Sequence, residues 1–194
     1  PELVLASASP RRAELLDRVG LTFRVVPAHV DESVLPGETA DAYVVRVATD
    51  KAMAVGAGAP GAVVLAADTS VVLDGEALGK PTDSAHALEL LGRLSGRSHR
   101  VLSAVVVVDT DAVVHTTLAG ATVTMAQLGA EELAWYVDSA EPMDKAGAYA
   151  LQGRGAALVE RVEGAPTTVI GLPLRATLDL LRAAGVKWPP ADRG

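Results

Sequence analysis

The residues most able to do chemistry open the chain: Ser7-Ala8-Ser9-Pro10-Arg11-Arg12, directly after a short apolar run. Ser9 suits a helix N-cap and Pro10 the first helical position. A helix N-terminus exposes backbone N–H groups and a partial positive charge, so acids normally fill its first turn. Here that turn holds two arginines and no acid. A solvated basic turn is the plain reading of an isolated Arg-Arg pair. Two serines and a helix entrance beside the pair also make an anion site, and a polyphosphate is its natural occupant.

Further candidates follow. Lys51 lies four residues after Val47 and four before Val55, on an apolar helix stripe. It either snorkels to the helix edge or marks a face that borders phosphate. Asp68-Thr69 is expected to end an apolar strand, with Gly79-Lys80-Pro81 closing a hairpin after it. An acid at a strand end serves as metal ligand, as base or merely as a cap. Asp31-Glu32 is a carboxylate pair in a loop, and Asp144-Lys145-Ala146-Gly147 with Gln152-Gly153 forms a polar, glycine-rich segment that either wraps a ligand or is an ordinary loop. His29, His86, His99 and His115 have no metal-ligand spacing. Neither a G-x-x-x-x-G-K-[ST] loop nor a G-x-S-x-G elbow is present. A metal bound by carboxylates alone is expected to be hard, Mg²⁺ or Mn²⁺.

The elements that must position these groups read as follows. A short strand spans 2–6, a helix runs from Pro10 to Gly20, and a second strand covers 23–26. A longer helix starts near Thr39, with Ala40, Val44, Val47, Ala48, Ala54 and Val55 at helical spacing. Residues 62–67 make a strand buried on both faces. A hairpin over 71–78 turns at Asp74-Gly75. A helix is expected over 83–94, a strand pair over 101–108 and 112–125, a short helix over 130–137, a loop through Glu141-Pro142, a strand over 156–162 and a last helix over 173–184. Strands and helices mix without strict alternation, so a mixed-sheet α/β or α+β fold is expected rather than a doubly wound one.

Composition narrows the function classes. With 194 residues, 49% hydrophobic and 21% charged, the chain is long enough for one domain with a real core. No apolar run nears the roughly 18 to 20 residues of a membrane span, and no signal-peptide pattern opens the chain. Without cysteine there are no disulfides, thiolate metal sites or cysteine nucleophiles. A cytoplasmic protein is expected. A net charge of −7 and only six aromatic residues, three Tyr, two Trp and one Phe, argue against a nucleic-acid surface. Only four of the seventeen basic residues are lysines, Lys51, Lys80, Lys145 and Lys187. In an arginine-rich chain, each is a candidate for retention as a compact point charge.

Taken in order, these blocks resemble the Maf nucleotide pyrophosphatases: the opening motif, Asp31-Glu32, Lys51-Ala52, Ala67-Asp68-Thr69, Gly79-Lys80-Pro81, Leu94-Ser95-Gly96, Asp144-Lys145-Ala146-Gly147-Ala148-Tyr149, Gln152-Gly153 and Gly171-Leu172-Pro173-Leu174. Asp68-Thr69 and the later D-K-A-G-A-Y…Q-G block are similar to the branch acting on dTTP and UTP. Ser70 departs mildly, since many relatives carry an apolar residue there. The resemblance implies an elongated two-lobed fold, like that of the inosine triphosphatases, with a central cleft. It implies one domain over 1–186, with 187–194 expected as a loose tail, and a protein that is often a homodimer. It also implies hydrolysis of a nucleoside triphosphate, with Mg²⁺ or Mn²⁺, to monophosphate and pyrophosphate. Asp68 would be the proton acceptor, and Arg12, Thr69 and Gln152 would govern substrate choice. Ser7, Arg11, Lys51, Lys80 and Lys145 would line the phosphates, and Glu32 with Asp68 the metal. The alternatives are an inosine-triphosphate-type house-cleaning pyrophosphatase and a nucleotide-sensing regulator of septum formation with little turnover.

Overall fold

A computed structural model describes residues 1–190. The chain divides into two compact units. One comprises 1–68, 103–119 and the stretch from Gly171; the other comprises 69–102 and 120–170. The backbone passes between them at Asp68-Thr69, Leu102-Ser103, Ala119-Gly120 and Ile170-Gly171.

In the first unit, β1 (Leu3–Leu5) is wholly buried and pairs in parallel with β2 (Arg24–Val25) and β3 (Val63–Leu73). Parallel strands covered on both faces lose water on each, which suits the unbroken apolar runs over 3–5 in β1 and 63–67 in β3. Helix α1 (Pro10–Arg18) has Ser9 at its N-cap and Pro10 at its start, as expected, but Ser9 caps it without a side-chain hydrogen bond. Helix α2 (Ala40–Gly56) starts at Thr39, whose Oγ1 accepts from the Ala42 N–H at 3.3 Å. Val44, Val47, Ala48, Lys51, Ala52 and Val55 are buried. Ala52, rather than the expected Ala54, closes the stripe, the two standing on opposite margins of it.

Asp68-Thr69 does not end β3. The strand runs on through both residues to Leu73, so Asp68 lies mid-strand. The residues beyond it, Thr69 to Leu73, are mostly β-branched and continue the pairing. Val71, Val72 and Leu73 pair antiparallel with Leu78, Ala77 and Glu76 of β4 (Glu76–Leu78). The Asp74-Gly75 turn has φ of 52° and 84°, the double positive φ of a type I′ hairpin.

In the second unit, α3 (Ser84–Leu94) is capped by Asp83, whose Oδ1 accepts from the His86 N–H at 2.8 Å. It packs on α4 (Ala130–Val137). β5 (Ser98–Val108), three residues longer than expected, and β6 (Val114–Met125), two shorter, each belong partly to both units. The strand expected over 156–162 is replaced by a 3-10 turn over Arg154–Leu158 followed by β7 (Val159–Glu163), paired antiparallel with β6. Ala156 and Ala157 have weak strand preference, which leaves that stretch free to coil. Short α5 (Pro166–Ile170) was not anticipated, and α6 (Leu174–Ala183), which belongs to the first unit, closes the series. The strand order is β2-β1-β3-β5-β6-β7, with β4 on β3: a seven-stranded mixed sheet. The core of the second unit gathers Leu73, Leu78, Leu90, Leu91, Leu94, Val123, Met125, Tyr136 and Leu158.

The segment expected to be a loose tail is held at Trp188. Its indole Nε1 donates to the Val19 carbonyl at 3.0 Å, and Arg182 lies 4.8 Å from the ring centroid. Residues 191–194 of that tail lie outside the described residues.

Candidate active site

The opening motif is built where β1 hands over to α1. Ser7, 5% exposed, accepts through Oγ from the Ser9 N–H at 3.2 Å and from Arg12 Nη1 at 3.0 Å. Arg12 Nε donates to the Gly171 carbonyl at 2.9 Å. Arg12 is therefore a buried guanidinium whose Nε and Nη1 tie helix, turn and motif together. Burial pushes its pKa down, Asp68 pulls it back up, Arg11 pushes it down further and Glu32 opposes that. The charge compensation that this first turn requires is thus partly internal. A carbonyl, a hydroxyl and the fields of Asp68 and Glu32 all act on Arg12. Arg11 beside it is half-buried.

Lys51 stands at the centre of the unit's ionic cluster. Its Nζ is 2.8 Å from Glu32 Oε1 and 2.8 Å from Asp68 Oδ1. The side chains of Lys51 and Asp68 are each 10% exposed, that of Glu32 43%. The register of α2 puts Lys51 on the buried stripe, and β3 brings Asp68 to it from the strand interior. A lysine among valines thus does not snorkel outward: it is retained inside by two carboxylates. Burial raises the Asp68 pKa above the ordinary carboxylate range, while Lys51, by charge and hydrogen bond, and then Arg12 draw it back.

Glu32 sits on an irregular stretch, and residues that the sequence reading passed over hold that stretch. Tyr43 Oη donates to the Glu32 carbonyl at 3.0 Å. Arg46 donates to Glu38 Oε1 at 2.6 Å and to the Ser33 carbonyl at 2.8 Å. The Arg46 hydrogen bond draws the Glu38 carboxyl down to about 2, and burial, then Asp68 and Glu32, push the Tyr43 phenol up to about 12. Tyr43 and Arg46 are three residues apart on α2, so helical spacing was the available signal. The Asp31-Glu32 pair divides: Asp31 accepts from the Ser33 N–H and hydroxyl and shapes the turn, while Glu32 reaches Lys51.

The second unit gathers the other candidates. Gly147 N–H donates to the Gly79 carbonyl at 3.1 Å, joining the segment of Lys80 to that of Lys145. Lys80 is exposed and the following Pro81 buried. Lys145 pairs with Asp144. Gly147 has φ of 67°, and a Cβ there would stand 2.8 Å from Val71 Cγ1. By the period of two, Thr69 shares a face of β3 with Val71, the face on which Gly147 packs. Gln152 is exposed in the turn that follows Tyr149.

Ser7, Arg12, Glu32, Lys51 and Asp68 are thus brought together in one unit, with Arg11 adjoining. Lys80 and Lys145 are tied together in the other, which also carries Thr69 and Gln152. Among the described residues no group of three or more His, Cys, Asp or Glu is placed to hold a metal. The two carboxylates that converge on Lys51 form an all-oxygen donor pair. That suits a hard cation which keeps several waters and takes its other ligands from phosphate.

The fold is similar to that of the Ham1 protein of Staphylococcus aureus, with a TM-score of 0.52 at 17% identity over 94% of this chain and 97% of that one. The Maf family profile, described as Maf-like protein, matches residues 2–184, and the chain belongs to that family. The dTTP/UTP pyrophosphatase of Anaeromyxobacter dehalogenans (strain 2CP-1) is 53% identical to it over 197 aligned positions, covering 97% of each chain. The dTTP/UTP pyrophosphatase of Symbiobacterium thermophilum is 50% identical over 186 positions, covering 95% of this chain and 94% of its own.

Proposed function

We propose that this protein hydrolyses nucleoside triphosphates, dTTP and UTP above others, to the monophosphate and pyrophosphate. The observation that carries the reading is the buried Asp68 carboxylate, held at 2.8 Å by Lys51, with burial raising its pKa above its ordinary value. The names of the relatives and the likeness along the whole chain support the substrate assignment.

In this reading Asp68 orients a water and accepts its proton as the oxygen attacks the α-phosphorus. The bond from that phosphorus to the bridging oxygen breaks, and pyrophosphate leaves. Lys51 keeps Asp68 ionised and fixed. Arg11, Lys80 and Lys145 neutralise phosphate oxygens, Ser7 contributes a hydroxyl, and Arg12, Thr69 and Gln152 select the base. Positioning and charge neutralisation are the main requirements of such chemistry. A divalent cation, Mg²⁺ or Mn²⁺, held by Glu32 and Asp68 would supply further charge neutralisation and acidify water. Helices long and apolar enough to cross a membrane are absent among the described residues, and the reading takes the enzyme as a cytoplasmic homodimer.

A triphosphate panel with pyrophosphate and phosphate measured separately tests the proposal. Pyrophosphate from dTTP and UTP, with Mg²⁺ or Mn²⁺ required, is expected. Release of orthophosphate alone, or preference for a purine triphosphate, overturns it.

A further inference from the structure

We infer that Glu141, with Tyr136, is a positioning residue for base selection: the pair clamps the loop that presents Gln152. The inference rests on the role proposed for Gln152 above. The loop from Ala150 to Gly155 folds around the Glu141 carboxylate. Oε1 accepts from the Tyr136 hydroxyl at 2.8 Å and from the Gly155 N–H at 3.0 Å, and Oε2 accepts from the Arg154 N–H at 3.0 Å. The Tyr136 hydroxyl in turn accepts from the Ala150 N–H at 3.0 Å. The backbone is thus gripped two residues before Gln152 and two and three residues after it, while the Gln152 side chain stays exposed.

The clamp is built from both sides. Tyr136 is fully buried on α4, so its hydroxyl is a fixed post. Glu141 opens a 3-10 turn directly before the buried Pro142, and its N–H donates to Ser139 Oγ at 3.3 Å. The loop approaches closely enough to demand glycine twice. A Cβ on Gly153 would run into the Glu141 carboxylate. One on Gly155 would stand 2.6 Å from the Ala150 carbonyl oxygen and 2.7 Å from the Tyr136 hydroxyl. Desolvation pushes the Glu141 carboxyl up, but its hydrogen bonds to Gly155, Arg154 and Tyr136 outweigh that and leave it below its ordinary range. The acceptor is therefore ionic at neutral pH, and its bonds are charge-assisted. An amide in its place sets an N–H₂ against at least one backbone N–H, so it cannot satisfy the same donors.

A residue that only stabilised the fold would, when changed, lower the melting temperature and slow every substrate alike. A residue that aims Gln152 changes the ratio between bases. Pyrophosphate release from UTP and from CTP is measured for the wild type, Glu141→Gln, Gln152→Ala and the double variant, each well below its melting temperature. The UTP-to-CTP ratio of kcat/KM is expected to fall on the order of tenfold in Glu141→Gln, the scale of one misdirected hydrogen bond. It should fall at least as far in Gln152→Ala and no further in the double variant. An unchanged ratio in Glu141→Gln, or a double-variant loss equal to the product of the two single losses, overturns the inference. If Glu141→Gln does not fold, Tyr136→Phe, which removes one hydroxyl and keeps the carboxylate, carries the same cycle with the same two outcomes. A wild type that releases no pyrophosphate, or does not favour UTP over CTP, refutes the proposed function itself before any variant is read, and this inference falls with it.

Discussion

Four charges settle most of what happens at the scale of single residues. Asp68, Lys51, Glu32 and Arg12 are mutually compensating, so each substitution exposes what the others were offsetting. Asp68→Asn is expected to lower turnover by about 10² to 10⁴, the usual cost of losing a general base. The variant should still fold and melt cooperatively, since Lys51 keeps Glu32 as a counter-ion and the buried acid's own desolvation cost disappears with its charge. Near-normal activity in a cooperatively melting variant would remove Asp68 from the mechanism. Lys51→Met leaves a buried carboxylate without its cation, and is expected to cost about 3 kcal/mol in chemical denaturation. Lys80→Ala removes an exposed charge and should stay within about 0.5 kcal/mol without ligand, while raising KM for the triphosphate. If the two denaturation curves coincide, the contrast between a structural and a ligand-facing lysine is wrong.

Elements differ in how much of their placement is local. Thr39 and Asp83 accept from N–H groups three residues ahead, and Asp74-Gly75 turns β3 onto β4, so these boundaries were legible in short words of sequence. The extent of β3 was not, because its second half is decided by pairing with β4 rather than by the apolar run. β5 carries a further non-local feature. His99, 3% exposed, shares a hydrogen bond of 2.7 Å between Nε2 and the Tyr149 hydroxyl, and among the described residues its Nδ1 has no partner. Burial lowers its pKa from 6.5 to about 4. The unfolded chain therefore binds a proton that the folded chain refuses across that window. Stability fully present above pH 6.5 is expected to fall as pH drops toward 4, by up to about 3 kcal/mol. Urea titrations at pH 7 and 4.5 measure this. His99→Gln should flatten the difference, and an unchanged slope in that variant would assign the acid sensitivity elsewhere.

At the scale of the whole molecule, contacts distant in sequence close the first unit. Arg12 meets the Gly171 carbonyl, and Trp188 meets that of Val19, so the stretch at Trp188 is anchored at the end of the first helix. Trp188→Ala loses an indole hydrogen bond, a ring surface and the stacking of Arg182. It is expected to lower stability by about 2 kcal/mol in thermal melts. A melting temperature equal to that of the wild type would show the tail to be dispensable.

The sequence by itself determined the mixed α/β class, the helix entrances at Ser9, Thr39 and Asp83, and the Asp-Gly hairpin. It also marked the blocks on which the Maf resemblance rested. Caps, turns and apolar periods act within a few residues, and can be read without knowing what lies across the fold. Tertiary structure alone decided that Lys51 is held by Glu32 and Asp68, that Arg12 is buried against Gly171, and that Asp31 and Glu32 do different things. It also decided that Glu141 reaches forward to grip the turn around Gln152. Each of these depends on a charged or polar group finding its partner after burial. The cost of an unpaired buried charge selects that partner from the whole chain, and no short stretch of sequence contains it.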